Sequence, residues 1–568
     1  MEIKKILAKD GTEIIEVLKE NKKYRLNSLY HPYNEAEKFA LQFAELESGS
    51  VLCVFGYGNG IFPKKMREIC KKDVILVFYE PCDEIYKICD VIEENIFLLV
   101  PEEGSSKTRI KNIREFPLLL EELTGFSNQE KITYCALPQY AQLFPDAYEA
   151  FLSIIQYRKK KIKSIIDTAR VFGQDGVRNN IYNLKYLANS YCGDSFINCF
   201  PKDMPAIIVS AGPSLEKNIK QLKYVKNKAL ILCVDSAVKY LLNNDIVPDF
   251  FVCVDPKKPL NRFDERMRDI PMVCSPDMNY KVLELLDGCK VIFASGDNDY
   301  ISEFYSKVGH KLERLRSGGS VATFAFSLCC YWGFRTIILV GQDLALKKNQ
   351  MYAGEKQLLI HEKKEELIPV EDINGDIIYS PRDYYFYLQW FEQEIKSHNE
   401  LTVIDSTEGG AKISGTKILP LLNSLKMYAN REYKIDEMIT NIQPAFNEIQ
   451  KRSIETSLIT SLITLEELMS NLKKGIGIID KELGCSVLKD SVNTSTDLQL
   501  AKICDDYNGL KEGFYIQRQI DATCLEEYMN NFQGLESCNK KERYLKIKKY
   551  FELLLQATDN VVTIWKDL

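Results

Sequence analysis

The sequence predicts an α/β protein in three parts: a Rossmann-like N-terminal domain, a central α/β domain and a C-terminal α-helical bundle. Three observations predict it. Apolar runs such as 51–56 (VLCVFG), 205–212 (PAIIVSAG) and 336–341 (TIILVG) end in small or polar residues and alternate with amphipathic stretches, as parallel strands do with their crossover helices. At 568 residues the chain exceeds what one hydrophobic core supports. Beyond Tyr433 the alternation gives way to long amphipathic segments almost free of Gly and Pro. The boundaries expected are 1–140 for the first domain, 141–200 for a helical connector, 201–430 for the central domain and 431–568 for the helical domain.

The first domain should begin with helical and loop material. Strand 51–56 then meets the turn Tyr57-Gly58-Asn59-Gly60, a helix follows, and strand 74–81 carries Glu80 at its end. A glycine-rich first turn with an acid after the next strand can hold a nucleotide or an S-adenosyl group, yet the glycines lack the full dinucleotide spacing. A structural or accessory role is the simpler reading. Residues 141–200 look helical throughout, and the Lys-rich stretch 158–163 reads as a solvated helix face.

Composition narrows the class. With 45% hydrophobic and 27% charged residues the chain has an ordinary globular profile, and a net charge of −6 argues against a dedicated nucleic-acid binder. No apolar stretch reaches the roughly 18 residues of a membrane helix, so no membrane insertion is expected. The 17 cysteines are scattered, odd in number and without CxxC pairing, which suits buried thiols in a reducing cytoplasm and leaves no metal site to expect.

The central region carries the chemistry. Strand 205–209 leads into Ala211-Gly212-Pro213-Ser214, where Gly212 allows close backbone approach and Ser214 is placed to cap a helix starting at Leu215. Such a helix start would offer amides to an anion. The next strands end at Asp235-Ser236 and Asp255-Pro256, and a later one at Gly341-Gln342-Asp343. Ligands of open α/β sheets bind at the carboxyl ends of strands, so these residues should share one crevice. Three acids there could serve ribose or sugar hydroxyls, or a Mg2+ ion bridging phosphates; otherwise each caps a turn. Ser317-Gly318-Gly319-Ser320 forms a second small-residue turn before a buried helix. Further on, Ser380 is expected as the N-cap of a helix whose Tyr384, Tyr387, Leu388 and Phe391 form an apolar stripe. Residues 403–416 read as a strand and a glycine-rich loop that closes over the crevice.

These segments, in this order, resemble the motility-associated factor (Maf) family of bacterial flagellin glycosyltransferases. The resemblance rests on AGPSLEKNI, VDSAVKYLL, IVPDFFVCVDP, GGSVATFAF, ILVGQDLA and IDSTEGGAKISGT, with LNSLYHPYNEAEKFA and VFGYGNG in the first domain. It implies a sialyltransferase-like central domain, a CMP-activated nonulosonic acid (pseudaminic or legionaminic acid type) as donor and flagellin Ser or Thr hydroxyls as acceptor. Carried over motif by motif, it nominates Gly212, Pro213, Ser214, Asp235, Ser236, Asp255, Pro256, Ser317, Gly318, Gly319 and Ser320 around the donor, with Asp343 on the same edge. An inverting displacement needs a base for the acceptor hydroxyl. The related sialyltransferases use a His, and many relatives carry one shortly after the GQDLA motif, where this chain has Met351-Tyr352-Ala353. His361 is therefore the first candidate base and Tyr352 the second, as base or phosphate ligand. The helical domain would bind flagellin. Two alternatives stand beside this reading: a Mg2+-dependent diphosphokinase acting on a pterin, and a non-catalytic flagellin-binding chaperone.

Overall fold

The computed structural model describes the chain except residues 90–92, 94, 102–108, 125–127, 129–130, 295–298, 347–366, 485–494, 525–527 and 529–537. It divides into two compact units, one built from Met1–Val171 and the other from Phe172–Tyr528 with Asn539–Leu568. Among the described residues no helix is long and apolar enough to cross a membrane.

The first unit opens with strands, where helical and loop material was expected. Strands β1 (Glu2–Leu7), β2 (Glu13–Lys19) and β3 (Lys22–Arg25) form an antiparallel meander. The physical cause is local. Ile14, Ile15 and Val17 of β2 are buried, and the two residues between β2 and β3, Glu20 and Asn21, both have positive φ (52° and 61°), the hairpin geometry that suits strand twist. The second sheet of this unit is parallel, in the order β7-β6-β5-β4-β8, from β4 (Val51–Phe55), β5 (Ile75–Tyr79), β6 (Phe97–Val100), β7 (Ile110–Asn112) and β8 (Ile132–Ala136). Its direction of growth reverses between β4 and β8.

The second unit is organised by a nine-stranded sheet in which every pairing is parallel. Its strands are β9 (Tyr191–Cys192), β10 (Ala206–Val209), β11 (Leu230–Val234), β12 (Phe250–Cys253), β13 (Met272–Cys274), β14 (Val291–Phe293), β15 (Thr336–Val340), β18 (Thr402–Asp405) and β19 (Lys417–Ile418). Between β15 and β18 the chain forms a separate hairpin of β16 (Ile368–Glu371) and β17 (Ile377–Ser380). The spatial order is β19-β18-β15-β10-β11-β12-β13-β14-β9. From β10 the chain winds outward one way through β11 to β14, then returns to the other flank of β10 as β15. The carboxyl ends of β10 and β15 are thus the topological switch point, the place where open α/β sheets leave a crevice. Strands β10 and β11 are buried along their whole length, which explains their unbroken apolar sequence.

Two expectations need correction here. Residues 141–200 are not helical throughout: the long helix Pro145–Asn183 is followed by β9, an edge strand that pairs with β14. Ser380 does not cap the next helix. Pro381 takes that position before Arg382–Ser397, and the buried Ser380 hydroxyl donates instead to the Leu344 carbonyl (2.8 Å). The α/β class and the helical C-terminal region are both present. Helices Glu448–Leu483, Ser495–Asn508, Gly513–Thr523 and Lys540–Lys566 share one continuous core with the sheet. Tyr515 donates to Asn180 Oδ1 (2.9 Å) within that core, and Tyr300 and Ser461 hydroxyls meet at 2.9 Å.

Candidate functional site

At the switch point the turns after β10 and β15 are pinned to each other. The Gly212 amide donates to the Gly341 carbonyl (2.8 Å), and the Ser214 amide and hydroxyl both donate to Asp343 Oδ2 (3.1 and 2.7 Å). Ser210 Oγ donates to Gln342 Oε1 (2.5 Å). Glycine is required at 212 by space: a Cβ there would stand 2.0 Å from Asp343 Oδ2 and 2.5 Å from the Gly341 carbonyl oxygen. Asp343 is 4% exposed and Ser214 fully buried, so this carboxylate braces two turns from within the crevice wall.

Ser214 is therefore not the helix cap expected. Its backbone is already helical, its side chain is committed to Asp343, and the helix that follows is only Leu215–Asn218 before a 3-10 continuation. The anion site expected at that helix start has lost the Ser214 amide to Asp343.

The loop after β18 closes onto the same turns. The Ala411 amide donates to the Asp343 carbonyl (2.7 Å), Lys217 donates to the Glu408 carbonyl, and the Gln342 amide reaches Thr407 Oγ1 (3.3 Å). Gly410, at φ +77°, lies where a Cβ would be 2.2 Å from the Asp343 carbonyl oxygen. Below it, Asp405 accepts from the Thr407 amide (3.0 Å) through Oδ1, and its Oδ2 is buried with no hydrogen-bond partner among the described residues. Burial raises the Asp405 carboxyl to about 6, against the pull of Thr407.

One strand along, Asp235 begins the helix Asp235–Leu242 and is fully buried. Its Oδ1 accepts from the Ser236 amide (2.6 Å) and from Lys258 Nζ (2.7 Å), while Oδ2 is buried without a hydrogen-bond partner among the described residues. Burial pushes the Asp235 carboxyl up; Lys258 opposes this, and Asp255 nearby adds a like charge. Burial works against the Lys258 ammonium too, but the attraction and hydrogen bond of Asp235, with Cys253 and Asp255 nearby, together make the net shift upward. Asp255 and Pro256 are partly exposed at the end of β12. The Asp255 carboxylate accepts from the Lys257 amide (2.8 Å), and Asn179 Nδ2 donates to the Pro256 carbonyl (2.9 Å).

The third group reaches the same edge by topology. The helix Val321–Trp332 packs across β10, β11 and β12 and feeds β15, so it runs against the strands and starts at their carboxyl edge. Ser320, read from the sequence only as part of a small-residue turn, caps it, its Oγ accepting from the Thr323 amide (3.1 Å). The Gly318 and Ser320 amides point at Thr323 Oγ1 (3.0 and 3.1 Å), and Ser317 and Gly319 are exposed. Gly318 is fitted against an indole: a Cβ would lie 2.5 Å from Trp390 Cγ. Of the expected stripe, Leu388 and Phe391 are core, whereas Tyr384 and Tyr387 are half-buried.

The structure thus joins Gly212, Pro213 and Ser214 to Asp343, and Asp235 and Ser236 to Lys258 beside Asp255. Ser317–Ser320 stand on the same sheet edge. The candidate bases His361 and Tyr352 lie outside the described residues. Lys258 escaped the sequence reading, although its position just after Asp255-Pro256 in a Lys-Lys pair was a usable signal. Asp405 was read only as part of a strand and the loop after it.

The glycine turn of the first unit is filled by its own protein. Glu80 is fully buried and accepts from the Tyr57 and Gly58 amides (3.1 Å each), the Cys82 amide (3.1 Å) and the Tyr140 hydroxyl (2.5 Å). The Tyr140 ring occupies the space beside Gly56, where a Cβ would be 2.6 Å from it. Burial raises the Glu80 carboxyl to about 7 against the pull of these four donors.

Comparison with known proteins adds three findings. A family model described as 6-hydroxymethylpterin diphosphokinase MptE-like matches residues 178–349. An uncharacterized protein of Treponema pallidum (strain Nichols) is 27% identical over 160 residues, which are 26% of this chain and 73% of that protein. The fold is similar to that of a MAf glycosyltransferase from Magnetospirillum magneticum AMB-1, with a TM-score of 0.60 and 15% identity over 100% of this chain and 92% of that one.

Proposed function

We propose that the chain is a glycosyltransferase that moves a nonulosonic acid of the pseudaminic or legionaminic type from its CMP-activated form to Ser or Thr hydroxyls of flagellin. The observation that carries this reading is the switch-point crevice, where polar strand ends gather beside a buried Lys258–Asp235 pair whose second carboxylate oxygen has no hydrogen-bond partner among the described residues. The likeness in fold over the whole chain to a MAf glycosyltransferase supports it.

In this reading Gly212 and Pro213 shape the donor cradle, Ser236, Asp255 and Pro256 line its floor, and the buried Asp235 lies beneath them. Ser317 and Ser320 offer their hydroxyls to the phosphate, on a turn whose amides are held internally by Thr323 and Ser317. Lys258 sits where a cation would offset the charge of the departing CMP. The acceptor hydroxyl attacks the anomeric carbon, His361 or Tyr352 takes its proton, and the bond to the CMP oxygen breaks. Asp343 holds the β10 and β15 turns together and acts as a positioning residue.

The test is transfer in a purified system. Unmodified flagellin and a CMP-nonulosonic acid should give glycosylated flagellin and free CMP, and Asp255→Asn and Ser320→Ala should each lower turnover while remaining folded. Full turnover in both variants would refute the site assignment. A second reading, a diphosphokinase acting on a pterin, is favoured by the family model over residues 178–349. Magnesium-dependent conversion of ATP to AMP with a hydroxymethylpterin, without CMP release from the sugar donor, would establish it instead.

A further inference from the structure

A second cluster of reactive side chains lies at the opposite margin of the large sheet. Cys192 ends β9, Asp194 follows in the turn Gly193–Phe196, and His310 stands just after the helix Asp299–Lys307. One ligand atom from each, a thiol sulfur, a carboxylate oxygen and a ring nitrogen, lies within 4.8 Å of the others. His310 Nδ1 is 2.9 Å from Asp194 Oδ1. Two nitrogen or oxygen ligands on one tetrahedral zinc stand about 3.3 Å apart, so small side-chain adjustments suffice to admit an ion.

The surroundings hold these groups in place. Pairing with Phe293 of β14 fixes the backbone of Cys192. Gly193 is held so close to Ala294 that a Cβ would come within 2.7 Å of that side chain. The His310 amide donates to the Tyr305 carbonyl (3.0 Å), and the Lys311 amide donates to Asp194 Oδ2 (2.6 Å), leaving Oδ1 turned to the imidazole. A backbone donor on the far oxygen of a ligating carboxylate is the outer support that metal sites use. Cys192 is fully buried, His310 partly exposed, so solvent has access from the imidazole side.

We propose that Cys192, Asp194 and His310 form a site for a divalent transition-metal ion of the zinc class, with water in the fourth position. Thiolate, imidazole and carboxylate together suit zinc better than magnesium or calcium, which take oxygen ligands. Binding releases the Cys192 proton and engages a neutral imidazole, so affinity falls as pH is lowered. Burial holds the Cys192 thiol above its ordinary range, and a bound cation reverses that preference. The site is separate from the crevice, because β9 is five strand spacings from β10, about 24 Å, and three from β12, about 14 Å. Its effect on the protein is to tie the Gly309–Lys311 turn to β9 and so fix the start of the segment that runs to Ser317. The two halves of the site, which are 116 residues apart at Asp194 and His310, form no spacing motif.

The full-length chain, stripped with chelator, is titrated with Zn2+ against a chromophoric competitor and separately with Co2+. One tight equivalent is expected, with a sulfur-to-cobalt charge-transfer band in the near ultraviolet. Cys192→Ser should abolish the band, and His310→Gln should weaken Zn2+ at least tenfold, while His398→Gln leaves both unchanged. His310→Gln, at a partly exposed position, keeps the test decisive if Cys192→Ser fails to fold. Binding in His310→Gln equal to that of the unaltered chain, or no tight equivalent at all, overturns the proposal.

Discussion

Substituting two glycines of the same crevice separates the packing account from a general tolerance of small changes. At Gly212 a Cβ would meet Asp343 Oδ2 at 2.0 Å and the Gly341 carbonyl at 2.5 Å; at Gly409 its nearest neighbour would be Ser214 Cβ at 3.4 Å. Neither glycine has a positive φ, so space alone decides the outcome. In Gly212→Ala the β10 and β15 turns must part. Overpacking of this kind costs about 1–3 kcal/mol. Loosening the hydrogen bonds from Ser214 to the buried Asp343 carboxylate adds about 1.5–3 kcal/mol if one is lost. Reduced freedom of the unfolded chain returns about 0.4–1 kcal/mol in both variants. Gly212→Ala should therefore lose about 2–5 kcal/mol in urea unfolding, and Gly409→Ala should stay within about 1 kcal/mol of the unaltered chain. Donor binding should weaken in the first and persist in the second. Equal stability of the two variants would refute the close approach of the two turns.

Further perturbations probe other parts of the site. Lys258→Met leaves the buried Asp235 carboxylate uncompensated and should cost about 3–5 kcal/mol, with the double variant Asp235→Asn/Lys258→Met recovering more than half in a double-mutant cycle. Gly318→Ala drives a methyl into Trp390 and should shift tryptophan fluorescence while costing about 1–3 kcal/mol. Ser320→Ala removes the cap of helix Val321–Trp332 and should cost about 1 kcal/mol in thermal unfolding. Glu80, raised from the ordinary 4.5 to about 7, keeps its proton when folded and loses it when unfolded between those values. Its contribution to stability is full below pH 4.5 and is lost as pH rises towards 7, by about 3 kcal/mol; Glu80→Gln should remove that slope from the unfolding of the first unit.

The parts of the fold legible in the sequence were those whose burial writes itself into residue type. Strands β10, β11 and β15 are apolar runs because they are buried along almost their whole length, and the polar residues after them mark the carboxyl edge of the sheet. The Ser317–Ser320 turn and the buried helix after it were legible, but the Ser320 cap with its local Ser-x-x-Thr spacing was not read. What stayed hidden depends on partners far apart in the chain. Ser214 has the composition of a cap, but Asp343, 129 residues away, claims its side chain. Strand β9 is two residues long and exists because β14 is beside it. The meander β1–β3 was missed because β1 and β3 are rich in lysine and little buried, and only β2 buries apolar residues. Glu80 and its glycine turn could be read as a nucleotide or S-adenosyl site, and only the placement of Tyr140 reveals that the protein fills that turn itself. The helical region was legible as helices but not as part of the sheet's own core, so the acceptor role proposed for it is best tested by surface substitutions rather than by deleting residues 433–568.

The most direct measurement of the central claim is the intact mass of flagellin from cells that carry this chain and from cells in which its gene is deleted. The account predicts a loss in whole multiples of one nonulosonic acid residue, restored by the unaltered chain and not by Asp255→Asn. Identical flagellin masses in the two strains would contradict it.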